Sequence, residues 1–238
     1  MKSQLIDQTI FTTKDIQAFY LSLDPNVKPT TINWRVYKLV QSGIISRVGQ
    51  GKFKFGMSKI YIPEVSSKMK SIYKKLKKEF PYLKTCIWNS SSLNEFMVHQ
   101  PGRFYVIVEV EKEATLSVFY FLREFYQPAY FEPTNDILNK YLPVDKEAII
   151  IIPLVSESPV QNTNGIDTIS IEKLLVDIFC DDVIFSAQQG AEMRTVFNEA
   201  FAKYSVNQNR MLRYASRRGK KENFQEYLNT IQIYGSKT

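Results

Sequence analysis

The stretch TTINWRVYKLVQSGIISRVGQGKFKFG, residues 30–56, decides how this chain is read. Thr30 and Thr31 follow Pro29 and suit a helix start, because a hydroxyl can accept from an orphan amide of the first turn and proline is tolerated at the first helical position. Ile32, Val36, Leu39 and Val40 then recur with helical spacing and make one apolar face. Asn33, Arg35, Lys38 and Gln41 fall mostly elsewhere on the helix, where side chains able to bond base edges or phosphates point outward. Gly43 is the expected stop. Residues 44–48 are β-branched in character, Gly49-Gln50-Gly51 tolerates the positive φ of a tight turn, and Phe53 and Phe55 alternate with Lys52 and Lys54 as in a strand. A helix followed by a glycine-tipped basic hairpin predicts the second helix and wing of a winged helix-turn-helix.

Upstream, Phe11-Thr12-Thr13-Lys14-Asp15-Ile16 reads as a strand or turn entering a helix capped by Thr12, with Asp15 in the first turn and an end near Leu23. Asp24-Pro25-Asn26 makes the short turn to the next helix that a helix-turn-helix requires. The expected DNA contacts are Thr30, Thr31, Asn33, Trp34, Arg35 and Lys38 on the helix and Arg47, Gln50, Lys52 and Lys54 on the hairpin. The bland alternative is a small α+β subdomain with no ligand.

The chain of 238 residues can bury a substantial core and is long enough for two domains. Its hydrophobic content of 44% is that of a globular protein, and it has no apolar run of membrane-spanning length. The first residues, MKSQLIDQTIF, lack the apolar stretch of a secretory signal, and two cysteines, Cys86 and Cys180, make no disulfide framework. These features lead to the expectation of a cytoplasmic protein with no membrane partner. No segment repeats at a fixed period.

The net charge of +7 conceals a division. Residues 1–84 carry 16 Lys and Arg against 5 Asp and Glu, residues 85–209 carry 8 against 17, and residues 210–238 carry 7 against 2. A basic head favours a polyanion at that end, since Lys and Arg near phosphates release counterions and steer association. Residues 66–80 predict an amphipathic helix with Met69, Ile72, Tyr73, Leu76 and Phe80 on its packed face. Six lysines, Lys68, Lys70, Lys74, Lys75, Lys77 and Lys78, surround the polar side and either extend a DNA footprint or form a solvated face. Ile60-Tyr61-Ile62-Pro63 marks the boundary, giving a DNA-binding domain at 1–62 and an α/β domain with C-terminal helices at 63–238.

In the second domain, residues 85–88, 104–111, 129–132 and 148–154 read as strands, and 114–126, 137–141 and 170–179 as helices, the last opened by a Ser170 cap. Only helices follow, at 187–204, 208–219 and 222–231. The expected class is α+β: a winged helix-turn-helix, then a mixed α/β domain with a helical C-terminal part.

A search for catalytic residues is mostly negative. The lone histidine, His99, has no recognisable nucleophile or carboxylate motif around it, and His99, Cys86 and Cys180 lack zinc-site spacing. Neither GxxxxGK[ST] nor GxGxxG occurs. No lysine has an acidic residue two positions before it; Glu109-Val110-Glu111-Lys112 misses the metal-nuclease spacing by one, which in a strand turns the lysine to the opposite face. Glu109 and Glu111 share a face and read as a solvated strand edge. The expectation is therefore no enzyme, no cofactor and no metal. The alternatives are a metal-dependent nuclease using Glu109, Glu111 or Glu132, and a winged helix that binds protein.

Two further stretches, Ile171-Glu172-Lys173-Leu174-Leu175-Val176-Asp177 and Arg210-Met211-Leu212-Arg213-Tyr214-Ala215-Ser216-Arg217-Arg218-Gly219, together with the layout of the chain, resemble the AbiEi family of antitoxins from bacterial type IV toxin-antitoxin systems. Glu172, Lys173, Leu175 and Asp177 match the first of that family's helical motifs, and Arg210, Leu212, Tyr214, Ala215, Arg217 and Gly219 match the second; the region around Trp88 to Pro101 departs from the pattern. The resemblance implies an autorepressor that binds the operator of its own operon and, through the C-terminal domain, counteracts a nucleotidyltransferase toxin. Read from the residues alone, Glu172 and Asp177 are polar-face positions, while Arg210, Arg213, Arg217 and Arg218 gather on a stripe suited to phosphate or an acidic partner.

Overall fold

Thr12 starts the first helix through a reciprocal pair of bonds: its backbone N–H donates to Asp15 Oδ2 at 2.6 Å, and its Oγ1 accepts from the Asp15 N–H at 3.3 Å. The Thr12 N–H and the Thr12 hydroxyl, which donates to the same Oδ2 at 2.8 Å, hold the Asp15 carboxyl below its ordinary value. The computed structural model describes residues 10–41, 44–49, 51–56, 59–141 and 147–235, so Gly43 and Gln50 lie outside the described residues. Contacts within the chain divide it into two compact units, one of the described residues up to 61 together with 201–210, the other of 62–200 and the described residues from 211 onward.

In the first unit, β1 (Phe11–Thr12) leads into α1 (Thr13–Leu23), a turn and α2 (Pro29–Gln41). Asp24 builds the turn by accepting the Asn26 N–H on Oδ1 at 3.0 Å. Pro29 itself is the first helical residue of α2, one position earlier than the threonines suggest. A hairpin of β2 (Ile45–Gly49) and β3 (Lys52–Phe55) follows, and β1 adds to it antiparallel, giving the strand order β1-β3-β2. Phe11, Ile16, Val27, Ile32, Val36, Ile45 and Phe53 form one core that fastens both helices to this small sheet. Gly51 at the hairpin tip has φ +65°, and a Cβ there would meet Thr13 Oγ1 at 3.1 Å.

The segment 201–210 belongs to this unit. Ser205 donates its N–H to the Lys59 carbonyl at 3.1 Å, and the Tyr61 and Tyr204 rings meet edge to face at 5.2 Å. Lys54 Nζ donates to the carbonyls of Phe201 and Ala202, both at 3.3 Å, in the last turn of a helix, where a cation is favoured. Burial there lowers the Lys54 pKa.

The second unit begins with α3 (Ser67–Glu79), capped by Ser66, and is built on a four-stranded sheet. Its strands are β4 (Thr85–Asn89), β5 (Tyr105–Val110), β6 (Ala129–Phe131) and β7 (Ala148–Pro153), in the order β4-β5-β7-β6, with β4 antiparallel and the rest parallel. A 3₁₀ segment, Ser90–Phe96, lies between β4 and β5. The parallel strands are linked through α4 (Thr115–Phe125) and α5 (Asn135–Lys140), as parallel pairing demands crossovers. Ile149, Ile150 and Ile151 are all buried, as expected for a strand covered on both faces. A hairpin of β8 (Val160–Thr163) and β9 (Ile166–Ile169) follows, which the sequence reading did not include. It turns at Asn164 and Gly165, both at positive φ.

Next comes α6 (Ile171–Cys180), buried on every side from Ile171 to Ile178. The helical end comprises α7 (Ala191–Lys203), α8 (Gln208–Arg217) and α9 (Lys221–Gly235). Phe179, Phe197, Phe224 and Tyr227 join these helices, with ring centroids 5.0 to 6.0 Å apart. The fold is thus mixed α+β with small sheets and a helical C-terminal part. Among the described residues, no helix is long and apolar enough to cross a membrane.

Candidate nucleic-acid interface

Helical spacing sorts α2 into two faces. Ile32 and Val36 turn into the core. Thr30, Asn33, Trp34, Tyr37 and Lys38 share the opposite face and are exposed, Trp34 at 59% and Tyr37 at 57%. Lys38 Nζ lies 5.4 Å from the Trp34 ring centroid, an arrangement that steadies both side chains. Thr31 is half-buried, and Arg35 folds back over the Tyr20 ring at 4.8 Å, so neither lies wholly on the outer stripe. The Gln41 side chain is outside the description.

Tyr37 is missing from the sequence-based set, although its position three residues after Trp34 placed it on the same stripe. On the hairpin, Arg47 is exposed and stacks its guanidinium 5.5 Å from the Phe53 ring, while Lys52 is half-buried. Lys54 faces the carbonyls of residues 201 and 202 instead of standing clear of the protein. A cleft of about 320 Å³ opens beside α2 and the hairpin, with Asn33 and Arg47 in its lining.

The second unit holds a different constellation. Glu109 lies on β5 between β4 and β7 and is only 1% exposed, which corrects its expected place on a solvated edge. Lys173, 0% exposed, donates from Nζ to Glu109 Oε1 and Oε2, both at 2.7 Å, and also to Asp177 Oδ2. Trp88 Nε1 donates to Glu109 Oε1 at 2.9 Å. Asp177 Oδ1 accepts from Tyr214 Oη at 2.8 Å and Arg218 Nη1 at 3.1 Å. Two carboxylates and two cations balance here, and each is hydrogen-bonded, the condition under which buried charge is tolerated.

Glu172 and Asp177 are buried, not on a polar face. The arginine stripe is also divided: Arg218 is committed to Asp177, Arg217 pairs with Glu157, Arg213 is exposed, and Arg210 lies in the first unit. Glu111 lies beyond the end of β5 and accepts the Lys84 N–H at 3.2 Å; Glu132 is exposed; His99 is exposed. Among the described residues no group of three or more His, Cys, Asp or Glu is placed to hold a metal ion. On α3, Lys68 pairs with Glu147 at 3.0 Å and Lys77 donates to the Leu83 carbonyl at 2.6 Å, while Lys70, Lys74 and Lys78 remain exposed.

The family assignment follows from residues 31–234, which reach from the outer face of α2 through the buried network to α9 and match one family along their length. The chain belongs to the family of unknown function DUF6577. A comparison with curated proteins returned no match. Membership in DUF6577 spans both compact units and leaves the activity to be argued from the residues themselves.

Protonation in the second unit gives a testable consequence. Burial raises the Glu109 carboxyl above its ordinary value despite Lys173. Burial works against the Lys173 ammonium, but Asp177 and Glu109 outweigh it and hold its pKa well above 10.5. Burial raises the Cys86 thiol and the Tyr214 hydroxyl, and moves Tyr73 to about 12. For Lys173, Cys86 and both tyrosines the folded value exceeds the unfolded one. Their stabilisation is therefore complete below the unfolded values of 9.0 to 10.5 and is lost as pH climbs toward the folded ones. Urea midpoints should hold steady from about pH 7 to 8.5 and fall steeply above about pH 9.5. A midpoint unchanged at about pH 11 would contradict this assignment.

Proposed function

We infer that the first unit is a winged helix-turn-helix that binds double-stranded DNA, and that the chain acts as a transcriptional regulator. In this reading α2 enters the major groove and the β2–β3 hairpin lies along the backbone as a wing. The observation that carries the reading is the outer stripe of α2. Asn33 and Lys38 offer amide and cationic donors suited to adenine and guanine edges, and Trp34 and Tyr37 can lie against thymine methyls or sugars. Arg47 at the hairpin adds a phosphate contact, and the excess of Lys and Arg over residues 1–84 supplies the long-range attraction.

The finer role, an autorepressing antitoxin that counteracts a nucleotidyltransferase toxin in a bacterial cytoplasm, is supported by the resemblance of residues 171–177 and 210–219. In this role the second unit carries the antitoxin function. Lys173, Asp177 and Tyr214 build its interior, so a toxin-directed surface would use other residues.

The two exposed aromatics favour a second reading, a protein-binding head. A mobility-shift experiment separates the two. The full chain should retard a duplex from the promoter of its own operon at about 100 mM salt and prefer it to a shuffled duplex by at least about a hundredfold. Equal retardation of both duplexes would reject the regulator, and no retardation would reject DNA binding.

A further inference from the structure

The cleft beside α2 has a wall that local sequence reading does not supply. Thr13 comes from the start of α1, Asn33 from α2 and Arg47 from β2, while Asn207 and Asn209 come from the segment that returns to the first unit some 150 residues later in the chain. These five side chains carry hydroxyl, amide and guanidinium groups. Among the described residues the lining holds no carboxylate, and Arg47 gives it a positive charge. Val36, Gly51 and Phe53 complete the lining.

Its geometry is held from several directions. Thr13 donates its backbone N–H to the Gly51 carbonyl at 2.8 Å, fixing the hairpin tip against α1. Asn207 Oδ1 accepts the Arg210 N–H at 3.1 Å, which sets the start of α8. Lys54 and the Lys59 carbonyl tie down residues 201, 202 and 205 just before it. A donor-rich concavity of about 320 Å³ with one guanidinium suits an anion carrying several acceptor oxygens, and it has room for the groups attached to that anion.

We propose that this cleft seats a backbone phosphate of the duplex lying on α2, with Arg47 supplying charge and Asn33, Asn207 and Asn209 supplying hydrogen bonds. This rests on the DNA-binding reading and extends it: residues 207–209 become part of the interface, which is then built from two stretches far apart in the sequence. Phosphate contacts of this kind fix the register of the helix in the groove. Asn33, which is also on the outer stripe, stands where base edge and backbone meet.

The test uses the full chain and a fluorescein-labelled promoter duplex, followed by anisotropy at about 100 mM salt. Asn209→Glu puts a carboxylate into the cleft and should weaken binding by about tenfold or more, whereas Asn209→Lys should tighten it and steepen the salt dependence by about one unit. Neither variant removes a core contact, and the lysine variant keeps the test decisive if the glutamate variant unfolds. Lys38→Ala, outside the cleft, reports on the helix alone. If Lys38→Ala weakens binding but both Asn209 variants match the wild type, the cleft proposal is overturned and the DNA reading stands. Absent wild-type binding overturns both. Millimolar inorganic phosphate provides the remaining arm: a thermal shift abolished by Asn209→Glu, with duplex affinity unchanged, would make the cleft a site for free phosphate and reject the duplex phosphate.

Discussion

Lys173→Ala will lower the unfolding free energy of the second unit by about 3–5 kcal/mol. The ammonium is fully buried and holds two carboxylates, Glu109 and Asp177, so its loss leaves negative charge inside the protein with too few donors. Asp177 keeps Tyr214 and Arg218, whereas Glu109 keeps only Trp88 among the bonds described above. Most of the cost should therefore fall on Glu109, which will take up a proton. The double variant Glu109→Gln/Lys173→Met removes the charge mismatch and should recover at least about half of the loss, because a matched apolar or neutral pair can replace a buried ion pair. The chain has two tryptophans, so in a Trp34→Phe background Trp88, bonded to Glu109, reports unfolding of this region in urea at pH 7. A Lys173→Ala midpoint within about 1 kcal/mol of the wild type would show that the network contributes little.

Lys38→Ala/Arg47→Ala will weaken promoter binding by about a hundredfold at about 100 mM salt, with a loss of stability of about 1 kcal/mol or less, from the Arg47 guanidinium that stacks over the Phe53 ring. Lys38 is exposed on the outer stripe of α2, and Arg47 is exposed on the hairpin. Their removal takes two cations from the surface, so the salt dependence should flatten by about two units. Arg35→Ala is a less clean probe, because the guanidinium packs over Tyr20 and its loss disturbs the seam between α1 and α2. The double variant can be read by anisotropy with circular dichroism as the folding control. Undiminished affinity would remove the helix and hairpin from the interface.

The parts of the fold that are visible in the sequence are those with local causes. Thr12 and Asp15 mark the start of α1 because a capping box spans only four residues, and Ile32 and Val36 mark the core side of α2 because the helical period repeats within one turn. The position of Glu109 has no such local cause. Alternation with Glu111 makes it resemble an exposed strand face, and the cation that makes its burial tolerable lies 64 residues away on α6. The same distance effect hides the roles of Asp177, Tyr214 and Arg218, whose motifs look like two unrelated helices until they meet at one carboxylate.

The β8–β9 hairpin is a different matter, since Asn164-Gly165 is a strong local turn signal. The flanking strands are only four residues each, and the consecutive polar residues Gln161, Asn162 and Thr163 on one and Asp167 and Thr168 on the other break the alternation of a strand, which makes them resemble a loop. For the candidate interface, helical spacing places Asn33, Trp34 and Lys38 on one stripe. The diversion of Lys54 and the entry of residues 207–209 depend on the chain's return, which no local pattern encodes.

The salt dependence of promoter binding by the intact chain is the most direct test of a DNA-reading head. Of the cations exposed on the first unit, Lys14, Lys28, Lys38 and Arg47 lie on α1, α2, the turn between them and the hairpin, so about four phosphates should be neutralised, and the logarithm of the association constant should fall with the logarithm of salt concentration at a slope of about −3 to −4. A slope near zero, or no measurable association at about 50 mM salt, would contradict the account.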